Sequence, residues 1–365
     1  MEILSKKKVL HFRRYHLYLL LLTCLFTFGS VVMAEPILKA EPDKTTVQTA
    51  KQTSQKHKPQ LSETKTQLEF DEIRAFKLLS DIVQFGQRFY GASHRDKAIQ
   101  HLVKGLQEAG SQKVELQQFN QIEPGSKQNY QLTNVIARIF PERSARVILG
   151  SHWDTRLWAE EDHNHARHNE PITGANDGSS GLAVLLEVLR QIKGLQLKQI
   201  GVDIIFFDGE EFGRPGSNDY CAGSKYFAQQ IKNFYPARLP LAAIIIDMVG
   251  DKELSFPPEA SSVRKALMLN RLIWGEALKL NLSAFASGLG KGLAPGQPRP
   301  QSRWIVDDHT PFQDLNIPAS LIIDLDYPHW HTHQDTLDKV SPQSLKQTGL
   351  ALLASLKKLD QISNK

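Results

Sequence analysis

Four short apolar runs, at 146–150, 202–208, 241–247 and 320–324, alternate with stretches whose apolar residues recur at helical spacing. Runs this short and this rich in β-branched residues fit strands buried on both faces. The intervening segments 180–195, 224–233, 261–280 and 343–362 carry amphipathic helix patterns. Such alternation closes on itself only as a mostly parallel or mixed sheet covered by helices. Upstream, Phe70, Ile73, Phe76, Leu79 and Ile82 mark an opening helix, and a second is expected over 93–109. Strands are expected over 113–119 and 132–140. No internal repeat or boundary interrupts the pattern, so residues 67–365 are read as one α/β domain: a single-domain mixed, mostly parallel central sheet flanked by helices.

The segment before that domain has a different character. Lys6, Lys7, Lys8, Arg13 and Arg14 precede an apolar run over 17–32, and Ala34 stands before a polar stretch. This is the layout of a cleaved export signal over residues 1–34; the alternative is an uncleaved membrane anchor, because the run is close to bilayer length. Either way the domain is expected outside the cytoplasm, secreted or periplasmic. Residues 35–66, poor in aliphatic side chains, read as a disordered polar linker. The basic leader supplies five positive charges against a formal net charge of +5, so the rest is close to neutral. No basic stripe with interleaved aromatics points to nucleic acid. Cys24 falls in the leader, which leaves Cys221 without an intramolecular partner, and its simplest reading is a small buried apolar residue.

The chemistry sits where apolar strands meet small-residue turns. His152-Trp153-Asp154 follows the first run, and Asp177 lies in Gly174-Ala175-Asn176-Asp177-Gly178. Glu210-Glu211 follow the second run, Asp247 ends the third, and His331 lies in Trp330-His331-Thr332. His, Asp and Glu at successive strand ends are the donors of a zinc site in an α/β sheet. Adjacent glutamates repel unless a cation is near; one can hold a metal while the other acts as a base. Taken alone, Asp177 reads as a helix cap, but beside Glu211 and His331 it is a good metal ligand. His329, His331 and His333 would share a face in an extended segment. Trp330 fits either the core or a substrate wall. Asp307-Asp308-His309 fits a helix start or an acid aimed at a pocket. Two long loops, 155–173 with His163, His165 and His168, and 288–301, are expected to rim the site.

These motifs resemble those of the glutaminyl cyclases, glutaminyl-peptide cyclotransferases of the zinc aminopeptidase-like superfamily. The carriers are Gly150–Asp154, Gly174–Gly181, Phe206–Glu211, Asp307–Phe312 and Trp330–Thr332. The resemblance implies one zinc held by Asp177, Glu211 and His331, with Glu210 as general acid/base and Asp247 and Asp307 as an acidic pair behind it. Trp330 would line the substrate pocket, and Tyr327 would stand in for a family phenylalanine. His152, with Asp247, occupies positions that help bind a second zinc in the aminopeptidases. The implied reaction converts the N-terminal glutamine of peptides or proteins to pyroglutamate with release of ammonia. A zinc aminopeptidase in which Glu210 activates water is the alternative, and a non-catalytic domain keeping the fold is a third reading. Asp307 and Trp330 favour the cyclase. Phe212–Gly216 departs from the animal enzymes by lacking a tryptophan soon after the paired glutamates. A monomer is the expected state.

Overall fold

Alternating side chains along each strand divide the interior into two apolar layers. Val147 and Leu149, Val202, Ile204 and Phe206, and Ile244 and Ile246 pack on one face of the sheet. Their neighbours Ile148, Ile205, Phe207, Ala243 and Ile245 pack on the other. The period of two along a strand thus separates layers that the composition alone does not distinguish. These observations come from a computed structural model, which describes residues 68–286 and 304–363. The leader, the linker up to 66 and the loop 288–301 lie outside the described residues.

Six strands form the sheet: β1 (Lys113–Ile122), β2 (Asn129–Ile139), β3 (Arg146–His152), β4 (Gly201–Phe207), β5 (Ala242–Asp247) and β6 (Ala319–Ile323). Their spatial order is β1-β2-β4-β3-β5-β6. β1 and β2 pair antiparallel, as do β2 and β4, whereas β3, β4, β5 and β6 run parallel. The helices are α1 (Glu72–Val83), α2 (Arg95–Glu108), α3 (Ser180–Ile192), α4 (Ala222–Gln229), α5 (Ile231–Phe234), α6 (Ala260–Lys265), α7 (Leu267–Lys279), α8 (Thr310–Asp314) and α9 (Pro342–Ile362). α1, α2, α3, α7 and α9 cover the first layer. Phe227 of α4, Ile231 of α5 and Phe312 of α8 seal the second. The expected α/β class and mixed sheet therefore hold.

Two expected helices are divided. The pattern over 261–280 is one stripe, yet the chain breaks at Ala266, with φ −134° and ψ 38°. The main-chain N–H of Leu321 donates to Ser262 Oγ and docks α6 on β6, while α7 packs against α9. Two docking surfaces override one periodicity. The 224–233 segment likewise splits at Gln230 into α4 and α5.

Register positions the chemistry. His152 pairs with Phe207 across β3 and β4, and Gly150 pairs with Ile245 across β3 and β5. The carboxyl ends of the parallel strands are thus level. β3 and β4 are adjacent, but the chain then passes over β3 to place β5 on its far side. The crevice at such a reversal of winding is where open α/β sheets hold their ligands.

Candidate active site

The loops at that edge bring together residues far apart in the chain. Asp177, Glu211 and His331 are all buried, and each offers a donor atom within 4.8 Å of the others. His331 Nε2 lies 3.1 Å from Glu211 Oε1 and 3.6 Å from Asp177 Oδ2. A second set, His152, Asp177 and Asp247, meets the same distance limit. There His152 Nε2 is 3.0 Å from Asp247 Oδ1 and 3.2 Å from Asp177 Oδ1.

Local conformation aims each group. Gly174 and Gly178 flank the Asp177 turn at φ 66° and 87°. A Cβ at Gly178 would lie 2.2 Å from the carbonyl oxygen of Asp154, so only glycine lets these loops touch. Asp335 fixes the turn from the other side. Its carboxylate accepts the N–H groups of Asn176 and Asp177 at 2.8 and 3.1 Å. Asp154 does the same for the paired glutamates, accepting the N–H of Glu210 at 3.2 Å and of Glu211 at 3.1 Å. His331 sits at φ 53° in a run of turns, which sends its imidazole inward, apart from its neighbours. His333 Nδ1 instead meets Asp162 Oδ2 at 2.9 Å, and the ring of His329 lies edge-on to Tyr327. The three-histidine arrangement is therefore absent. Neither donor cluster among the described residues includes His163, His165 or His168.

The electrostatics of the first set suit a cation. Burial, then the charge on Glu211, pushes the Asp177 carboxyl up to about 7. Burial opposes ionisation of Glu211, but His331 and Arg156 hold it well below the usual range. Burial would lower His331, yet Glu211 and Glu160 push it up to about 10. Asp177 Oδ2 is buried without a hydrogen-bond partner. Two carboxylates and an imidazole around such an oxygen are hard-to-borderline donors suited to zinc. Ligation through His331 Nε2 requires its proton to leave. The second set differs in that His152 Nε2 lies within 3.2 Å of both carboxylates, whereas His331 Nε2 comes that close to Glu211 but not to Asp177. Asp247, Asp154 and Asp177 overcome the effect of burial and hold His152 well above the ordinary imidazole range.

A cavity of about 710 Å³ opens beside these groups. Glu210, Asp247 and Asp307 face it with Asp177, Glu211 and His331, and Met248, Ile305, Ile323, Leu325 and Trp330 supply apolar wall. Trp330 stacks on His331 with ring centroids 4.0 Å apart and keeps 43% of its surface exposed. Burial, followed by the charge of Glu211, raises the Glu210 carboxyl well above the usual range. Asp307 is raised too, by burial and then by Asp247 and Asp308. Cys221 is buried as expected, and its thiol lies 3.4 Å from Glu210 Oε1.

Tyr327 is not on the cavity wall. Its ring is buried in the second apolar layer, and its hydroxyl donates to Asp335 Oδ1 at 2.8 Å. A phenol needs a partner once buried, and its partner Asp335 lies behind the Asp177 turn. Leu325 occupies the wall instead. Motif reading also passed over Arg156, Glu160 and Asp335, and gave Asp154 no role. Asp154 lay within a motif already singled out; the others sit in irregular loops where spacing carries no signal.

The model of peptidase family M28 matches residues 134–356. The chain belongs to peptidase family M28. Within the M28 fold it is 24% identical over 262 residues to the glutaminyl-peptide cyclotransferase of Drosophila melanogaster, covering 68% of this chain and 70% of that one. The crystal structure of a Bacteroides thetaiotaomicron glutaminyl cyclase bound to N-acetylhistamine superposes with a TM-score of 0.70 and 30% identity, over 79% of this chain and 98% of the other. A leucine aminopeptidase precursor from the same species gives 0.71 and 29%, over 79% and 97%. Membership in M28 makes the chain an enzyme of the zinc exopeptidase-like fold, and the resemblance to glutaminyl cyclases read from its motifs stands.

Proposed function

We propose that the protein is a glutaminyl-peptide cyclotransferase that uses one zinc ion to convert N-terminal glutamine to pyroglutamate with release of ammonia. The observation that carries this reading is the crowding of Glu210, Asp247 and Asp307 onto one apolar-walled cavity beside the Asp177, Glu211 and His331 donors. A peptidase base needs one carboxylate next to a bound water. In both reactions that carboxylate returns the proton to a leaving nitrogen. What suits a cyclase is the presence of two further acids, Asp247 and Asp307, on the same wall, where they can hold an α-amine as the nucleophile in place of water.

Asp177, Glu211 and His331 would hold the ion, which when bound supplies Lewis acidity toward the side-chain amide carbonyl of the substrate. A single ion at the first set is favoured because the unpartnered buried oxygen, Asp177 Oδ2, faces His331 there, while His152 Nε2 lies within 3.2 Å of both carboxylates of the second set. Glu210, destabilised as an anion by burial and by Glu211, is suited to taking a proton from the α-amine as that nitrogen attacks the carboxamide carbon. The new C–N bond closes the five-membered ring. Glu210 then gives the proton to the departing amide nitrogen, which leaves as ammonia. Asp307, whose ionisation is disfavoured by burial and then by Asp247, lies on the same wall, where its oxygen can accept an N–H of the α-amine and leave the nitrogen lone pair free to attack. Trp330 and the aliphatic wall keep water from the acyl carbon, so ring closure, favoured by tethering, outpaces hydrolysis.

The test supplies purified protein with an N-terminal glutaminyl peptide and, separately, leucine naphthylamide. Ammonia release with loss of the free amine is expected from the first and no cleavage of the second. Liberated amino acid without cyclisation would assign the aminopeptidase reaction instead. Glu210→Gln should lower kcat by about 10²–10⁴-fold with zinc still bound.

A further inference from the structure

Arg156, in the loop after β3, is wholly buried, and its guanidinium touches both of the widely separated ligand loops. Nη1 donates to Glu211 Oε2 at 3.1 Å, on the oxygen that does not face His331, and to the carbonyl oxygen of Gly213 at 2.5 Å. Nε and Nη2 fork onto Glu160, at 3.0 and 2.6 Å from Oε1. That same Oε1 faces His331 Nδ1 at 3.0 Å. Nη2 also reaches the hydroxyl of Tyr220 at 3.0 Å, and Tyr220 lines the cavity. One rigid cation thus grips Glu211 directly, His331 through Glu160, and the wall at Tyr220.

We infer that Arg156 is a positioning residue that fixes the orientation of two of the three metal ligands and ties them to the 213–220 wall of the pocket. With Nδ1–H donated to Glu160, His331 presents Nε2 to the metal position. With Oε2 held by Arg156, Glu211 presents Oε1 there. The planar fork is essential, because five donors in one plane meet acceptors on three sides, and a lysine ammonium offers a point charge without that geometry. The inference rests on the metal reading proposed above but not on which bond the enzyme makes or breaks.

The experiment measures zinc affinity by competition with a chromophoric chelator, alongside circular dichroism and melting of the metal-free proteins. Arg156→Lys should fold and bind zinc about 10–100-fold more weakly. Glu160→Gln, at a partly exposed position, keeps an acceptor but loses the charge, and about a 10-fold loss is expected. Tyr220→Phe should keep wild-type zinc affinity and raise KM several-fold with kcat little changed. Wild-type affinity in a folded Arg156→Lys and in Glu160→Gln would overturn the inference; if Arg156→Lys does not fold, Glu160→Gln decides alone. A Tyr220→Phe protein that loses zinc to the same degree would also overturn it. Wild-type protein with no zinc affinity at all would instead defeat the proposed function.

Discussion

Gly178 shows how little room the site leaves at a single residue. Its φ of 87° is unfavourable for any side chain, and the missing Cβ would overlap the Asp154 carbonyl and press on His152. Gly178→Ala should destabilise the protein by more than about 1 kcal/mol and weaken zinc binding, since Asp154 holds the Glu210-Glu211 turn. Urea unfolding with a zinc titration checks both. The glycine-flanked aspartate was legible in the sequence because tight turns have a residue signature. Asp335, which orients Asp177 from 158 residues away, has none. Tyr327 marks another limit: a position between a strand end and a ligand places a ring near a site without saying which way its hydroxyl points.

At the level of elements, the strand ends were legible and the opposite end of the sheet was not. Arg146 of β3 and Asp203 of β4 form a buried bidentate pair at 2.7 and 2.6 Å. The Tyr235 hydroxyl also donates to Asp203 at 2.7 Å. Neither residue breaks the apolar pattern enough to signal a pair in advance. Asp203→Ala leaves a buried guanidinium without its counter-charge and should cost about 3–5 kcal/mol; Arg146→Met combined with Asp203→Leu should cost less. Denaturant unfolding of the two variants gives the comparison. The break at Ala266 belongs to the same scale. Strand length and helix period follow from local pattern, whereas the division of 260–279 depends on β6 and α9, which approach only in the folded chain.

For the whole molecule, an ion held as proposed would be thermodynamically linked to the fold. Removing it leaves Asp177 and Glu211 buried together with no metal counter-charge, and zinc at about 100 times its Kd is worth about 2.7 kcal/mol. Chelation should therefore lower the melting temperature by about 5 °C, reversibly on adding zinc back, as scanning calorimetry would record. Glu211 and His331 are 120 residues apart in the chain, one in the loop after β4 and the other between β6 and α9. An unfolded polypeptide accordingly has no chelating pair of these ligands at short range. On the ligand set proposed above, loading would come last in the life history of the molecule: the sheet would have to assemble first, and the metal would be acquired as a final act of maturation, not as a template for it.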